Sequence, residues 1–147
     1  MSLAAATSAT ILIVEDDLIV SDFLAVLIRG DLEIPTHILV ATTLQDALTI
    51  LAAQEIDIML IDPGLPDSQG LHTIRTLMEA APLVATAIIT ARPEREDKYE
   101  AYEHGAKGYY DKITLLQHWQ EIQLIQSLLT DVRGMKDVDG NPDSSAD

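Results

Sequence analysis

Five short apolar runs, each followed by a segment of helical period, limit what this chain can become. Thr10–Val14, Asp57–Ile61 and Leu83–Ile89 are dominated by apolar and β-branched residues. Such runs, with little polar alternation, suit strands covered on both faces, as the inner strands of a parallel sheet are. His37–Ala41 and Gly108–Tyr110 are weaker runs of the same kind. The segments between them are spaced as helices. Leu18–Arg29 carries Ile19, Val20, Phe23, Leu24, Leu27 and Ile28, with Gly30 as a stop signal. Thr43 can cap a helix whose Leu44, Ala47, Leu48 and Leu51 share a face. Leu71–Ala80 turns Ile74, Leu77 and Met78 inward and meets Pro82. Pro93–His104 opens on proline, stops at Gly105 and is charged nearly all round, so it should be the most exposed helix. Thr114 opens a last helix with Leu116, Trp119, Ile122, Leu124, Ile125 and Leu128 apolar.

Strand and helix alternate five times, which calls for right-handed crossovers and a parallel sheet with helices on both faces. The predicted architecture is α/β: a flavodoxin-like, doubly wound, five-stranded sheet in the order 2-1-3-4-5 with five helices. A chain of 147 residues is one domain. We place it at residues 10–130, after a disordered extension (1–9) and before a flexible acidic tail or truncated linker (131–147). The tail reading follows from the acidic, turn-rich Asp137–Asp147.

Composition removes several functions. The absence of cysteine excludes disulfides, thiolate metal sites and a thiol nucleophile. A net charge of −15 repels phosphate backbones and anionic lipids, so direct nucleic-acid or membrane binding is not expected. No apolar run is long enough to span a bilayer, and Met1–Thr10 lacks the basic start of a signal peptide, so the expected compartment is the cytoplasm.

Ligands of open α/β sheets bind beyond the carboxyl ends of the strands. There the sequence sets Glu15, Asp16 and Asp17 after the first strand, Asp62 after the third, Thr90 and Ala91 after the fourth, and Lys112 after the fifth. In the order 2-1-3-4-5 these ends are neighbours. Carboxylates this close raise one another's pKa, and a hard divalent cation relieves them; all-oxygen donors suit magnesium better than zinc. Lys112 and Thr90 can hold the oxygens of a phosphoryl group, and Asp62 is then a nucleophile toward phosphorus.

Four segments carry a resemblance. Ile11–Asp17 reads ILIVEDD and Asp57–Gly70 reads DIMLIDPGLPDSQG, with Pro66 four residues and Gly70 eight residues after Asp62. Ile88–Ala91 reads IITA and Gly105–Lys112 reads GAKGYYDK. In this order and spacing they resemble the receiver domain of bacterial two-component response regulators, over about Thr10–Leu129. The resemblance implies that Asp62 takes a phosphoryl group from a sensor histidine kinase or phosphotransfer protein. It implies magnesium on Glu15, Asp16, Asp62 and the main-chain carbonyl of Gly64. Thr90, with Ala91 beside it, would turn toward the phosphoryl group, Lys112 would pair with it, and Tyr109 would change rotamer. The readout would act on a downstream protein or a fused output domain through the fourth helix, fifth strand and last helix. Such a chain is a switch, not an enzyme beyond its own phosphoryl transfer and dephosphorylation.

There are departures. Ile113 stands where the family has proline after the lysine, so the Lys112–Ile113 bond should be trans. Pro63 removes a backbone N–H beside Asp62. Gly64 and Arg92 fall where the family modulates phosphoryl lifetime. Blander readings compete. Asp17 caps the first helix, Tyr99 and Tyr102 pack at the base of the charged helix, and Tyr109 is a half-buried strand aromatic. Leu115, Leu116, Leu124 and Leu129 leave room for a homodimer face. Two other functions compete as well. One is a receiver-like binding module that is never phosphorylated. The other is a magnesium-dependent phosphatase, which would need a second acid where Gly64 stands.

Overall fold

The computed structural model describes residues 8–140, and the side chains of 8–132. Five parallel strands form one sheet in the order β2-β1-β3-β4-β5: β1 (Ala9–Val14), β2 (Thr36–Ala41), β3 (Ile58–Ile61), β4 (Ala85–Thr90) and β5 (Gly108–Asp111). The helices are α1 (Leu18–Asp31), α2 (Leu44–Ala53), α3 (Gly70–Ala80), α4 (Arg95–Glu103), α5 (Lys112–Gln117), α6 (Trp119–Ile122) and α7 (Leu124–Gly140). The predicted fold class and strand order hold. The helix expected from Thr114 is instead three segments, α5 to α7. His118 closes the first, and Gln123 separates the others in a left-handed conformation (φ 52°).

Strand periodicity divides the core in two. Leu12, Val14, Met59, Ile61, Ile88 and Tyr109 face α2, α3 and α4, meeting Leu44, Ala47, Ile74, Leu77 and Ala101. Ile11, Ile13, Ile58, Leu60, Ala87 and Ile89 face the other side, meeting Leu24 and Ile28 of α1 and Leu115, Trp119, Ile125 and Leu128 of α5 to α7. Successive strand residues point to opposite faces, so both must be apolar when helices cover both. That is why these runs lack alternation.

Several boundaries differ from the sequence reading. α1 passes through Gly30 to Asp31, so Gly30 is not its stop. α4 begins at Arg95, two residues after Pro93, with Glu94 at its N-cap; only Ala101 on it is buried. Ala9 already belongs to β1, and α7 continues past residue 130 to Gly140. The rest of the expected extension and tail, residues 1–7 and 141–147, lies outside the described residues. Leu115 and Leu124 are buried, and Leu116 and Leu129 pack partly buried against the same core, so those four form no exposed dimer face. Tyr99 (67% exposed) and Tyr102 (45%) stand in solvent instead of packing at the base of α4. On α1, Ile19 and Phe23 are exposed. No helix among the described residues is long and apolar enough to cross a membrane.

Candidate functional site

The ladder continues one residue beyond the inner strands. Glu15 N–H donates to Ala41 O, and Asp62 N–H donates to Val14 O, both at 2.9 Å. This fixes the backbones of both acids at the carboxyl edge of the sheet. Asp17 opens α1 as expected: its Oδ1 accepts from the N–H groups of Ile19 (3.0 Å) and Val20 (3.4 Å). With Asp17 occupied by the cap, Glu15 and Asp16 are left to meet Asp62. Ligand oxygens of Glu15, Asp16 and Asp62 lie within 4.8 Å of one another.

Lys112 follows directly on β5 and stands at the first position of α5, capped by Asp111. Its ammonium donates to Asp62 Oδ2 at 2.6 Å and lies 2.8 Å from Glu15 Oε1. One cation thus bridges two acids that would otherwise repel. The other Asp62 oxygen, Oδ1, accepts from Gly64 N–H at 2.9 Å. The Lys112–Ile113 bond is trans, like every described peptide bond.

Burial sets the electrostatics. Glu15 is 2% exposed. That burial pushes its carboxyl from 4.5 up to about 7; the Lys112 bond pulls the other way and the Asp62 charge adds to the rise. For Lys112, burial disfavours the charge, but the bonds to Asp62 and Glu15 outweigh it and hold the ammonium above its ordinary value.

Thr90 ends β4 and is buried (5%). Its hydroxyl oxygen accepts from Arg92 N–H at 3.0 Å, which leaves its own proton to donate elsewhere. Ala91 is exposed beside it. Tyr109 points into the core (8% exposed), and its hydroxyl accepts from Glu94 N–H at 3.0 Å. The ring is therefore latched to the same β4–α4 loop that carries Thr90 and Arg92. A cavity of about 440 Å³ opens between Asp62, Gly64, Gln69, Thr90, Arg92 and Asp97. A larger hollow of about 680 Å³ lies between the ends of α2 and α3 at the opposite edge of the sheet, remote from these groups.

The loop after β3 is braced in ways sequence reading did not find. Pro63 O accepts from Gly70 N–H and from Thr73 Oγ1, each at 3.0 Å, so the proline that lacks a donor still anchors the loop. Ser68 and Thr73 hydroxyls meet at 2.6 Å. Asp67 reaches α2, accepting from Leu44 N–H (2.8 Å) and Gln45 N–H (3.1 Å). Gln69 donates from Nε2 to Leu65 O at 2.6 Å. An acid after a Pro-x turn is a common surface feature, and nothing local indicates a helix start more than twenty residues away.

The donor set tests well for magnesium. Three carboxylates of graded burial meet, and two of them, Glu15 and Asp62, are paired with a lysine. Hard all-oxygen donors of this charge fit a small divalent cation and do not fit a soft metal.

Known proteins share this sequence pattern and this fold. A family model described as the response regulator receiver domain matches residues 11–122. The KDP operon transcriptional regulatory protein KdpE of Escherichia coli (strain K12) is 36% identical over 104 residues, covering 69% of this chain and 44% of the relative. The response regulator protein PmrA of Pseudomonas aeruginosa is 28% identical over 102 residues, covering 69% and 45%. The chain thus spans less than half the length of these curated relatives. A receiver domain protein from Clostridium thermocellum superposes with a TM-score of 0.70 at 22% identity, over 87% of this chain and 97% of that one. Such a likeness speaks to the fold, and the family match speaks to descent. The chain belongs to the response regulator receiver domains of two-component systems.

Proposed function

We propose that this domain is a phosphorylation-controlled switch: Asp62 accepts a phosphoryl group from a phosphohistidine on a sensor kinase or phosphotransfer protein. The observation that carries this reading is the Lys112 ammonium held between Asp62 and Glu15 with Asp16 in reach. In the transfer, an Asp62 carboxylate oxygen bonds to phosphorus as the phosphorus–nitrogen bond to histidine breaks. Glu15, Asp16, Asp62 and the Gly64 carbonyl would hold magnesium. When bound, the cation supplies positive charge that offsets the acids and the transferring oxygens. Lys112 pairs with the new phosphoryl oxygens, and Thr90 donates its hydroxyl proton to them. Because Thr90 also holds Arg92 N–H, its movement shifts the loop to which Tyr109 is latched. That couples the site to α4 and β5, the face offered to a downstream protein or fused output domain.

The chemistry asks for no other catalysis, so the domain acts on its own phosphoryl group only. Gly64 supports this, since a phosphatase of the competing kind needs an acid there. The folded unit takes in residues 10–130, with Ala9 of β1 before them and the rest of α7 after them, and the cytoplasm is the compartment where such kinases would reach it.

Intact-mass spectrometry after incubation with acetyl phosphate tests the assignment. Wild type should gain one phosphate only with magnesium present. Asp62→Asn should gain none, because an amide is a poor nucleophile, and Asp16→Ala should gain none for want of metal. Lys112→Ala should still label but lose the downstream response. Wild type that never labels would favour the unphosphorylated binding module, and a labelled Asp62→Asn would move the acceptor.

A further inference from the structure

We infer that Gln69 positions the water that hydrolyses the phosphoryl group from Asp62, and so sets how long the switch stays on; this rests on Asp62 being the acceptor. Gln69 occupies the N-cap of α3 but makes no side-chain cap bond. Its side chain folds back across the loop instead, with Nε2 on Leu65 O at 2.6 Å. A carbonyl can only accept, so the amide nitrogen must face Leu65, and Oε1 is turned the other way. That way is toward the acceptor. A Cβ placed on Gly64 would lie 3.6 Å from Asp62 Oδ1 and 3.8 Å from Gln69 Oε1. Gly64 carries no side chain, so the gap between these two oxygens is left open. Both residues line the same cavity of about 440 Å³, which is open to solvent and large enough for a phosphoryl group and waters.

The chemistry needs an acceptor at that place. A water molecule attacking phosphorus must present its lone pair to phosphorus and its protons elsewhere. Gln69 Oε1 accepts one of those O–H bonds and aims the lone pair; a neutral amide takes no proton. The water oxygen bonds to phosphorus as the phosphorus–oxygen bond to Asp62 breaks. Asp62 leaves as its carboxylate, one water proton stays on the released phosphate, and the other passes to solvent. Gln69 is thus a positioning residue. Because the bond to Leu65 O is made on its other atom, bracing the loop and orienting the water are separable.

The full chain is loaded with acetyl phosphate and magnesium, the donor is removed, and surviving phosphoprotein is followed by intact mass. Gln69→Lys keeps a donor for Leu65 O but has no acceptor; Gln69→Met has neither. Both should load at the wild-type rate and lose phosphate about fivefold or more slowly, the factor expected for one lost orienting hydrogen bond. Gln69→Lys should melt close to wild type. A Gln69→Lys protein that loses phosphate at the wild-type rate would overturn the inference, even if Gln69→Met is slow, because Gln69 would then be a brace only. Wild type that fails to load overturns the reading of Asp62 itself, an outcome seen before any decay is measured.

Discussion

Glu15 makes the domain less stable at neutral pH than at acid pH, and Glu15→Gln should remove that dependence. Burial raises its carboxyl from 4.5 to about 7 in the folded chain. Between those values the folded chain keeps a proton that the unfolded chain has released. Stability therefore falls as pH rises through this window, by about 1.4 kcal/mol per unit. Over the interval the loss is on the order of 3 kcal/mol, or about 10 °C in Tm for a domain of this size. Lys112 does not blur the window. Its pKa is raised from 10.5, so its contribution is present at neutral pH and is lost only as pH climbs above that value. The substituted glutamine has nearly the same shape as the native glutamate, and its amide oxygen still accepts from Lys112. In urea titrations with EDTA from pH 5 to pH 8, the two proteins should be close at pH 5. The variant should gain about 2–3 kcal/mol over wild type by pH 8. A gap that does not change with pH, or one that closes as pH rises, would refute the reasoning. Magnesium should cancel the effect, since it binds the carboxylate form and releases the proton.

Other consequences can be read at single positions. Trp119, 3% exposed, donates from Nε1 to Asp31 Oδ2 at 2.6 Å. Trp119→Phe should cost about 2–3 kcal/mol in urea unfolding, and Asp31→Asn less, because an amide oxygen still accepts. A Cβ on Gly108 would come within 2.5 Å of Tyr110 Cε2. Gly108→Ala should lose about 1–3 kcal/mol, and most of that loss should vanish in a Gly108→Ala, Tyr110→Leu double variant. The Leu44 N–H, with that of Gln45, holds the Asp67 carboxyl below its ordinary value. Its contribution is present at neutral pH and lost as pH falls through the lowered value, so the Tm gap between wild type and Asp67→Ala should close in acid.

Local pattern was enough for the strands. β-branched runs without alternation marked β1, β3 and β4, and the alternation of runs with helical periods left a doubly wound sheet as the economical solution. Glu15, Asp16, Asp62, Thr90 and Lys112 were legible for the same reason: each lies at or just beyond the carboxyl end of its strand, and strand order alone makes those ends neighbours. Helix ends were less legible, because stop signals are weak against packing. Gly30 stays helical, where Asp31 meets Trp119. The last helix breaks at His118 and Gln123 into two short segments and one long one. Which apolar residues of α1 are covered depended on where α7 lies. A helical period alone did not show that Ile19 and Phe23 stay in solvent. The remaining features join residues far apart in the chain: Asp67 on the α2 start, Trp119 on Asp31, Lys112 between Glu15 and Asp62, and Gln69 across the gap at Gly64. Sequence decides which groups the chain carries and in what order. Distance, burial and hence the raised pKa of Glu15 exist only once the sheet has brought the strand ends together and the helices have shut water out.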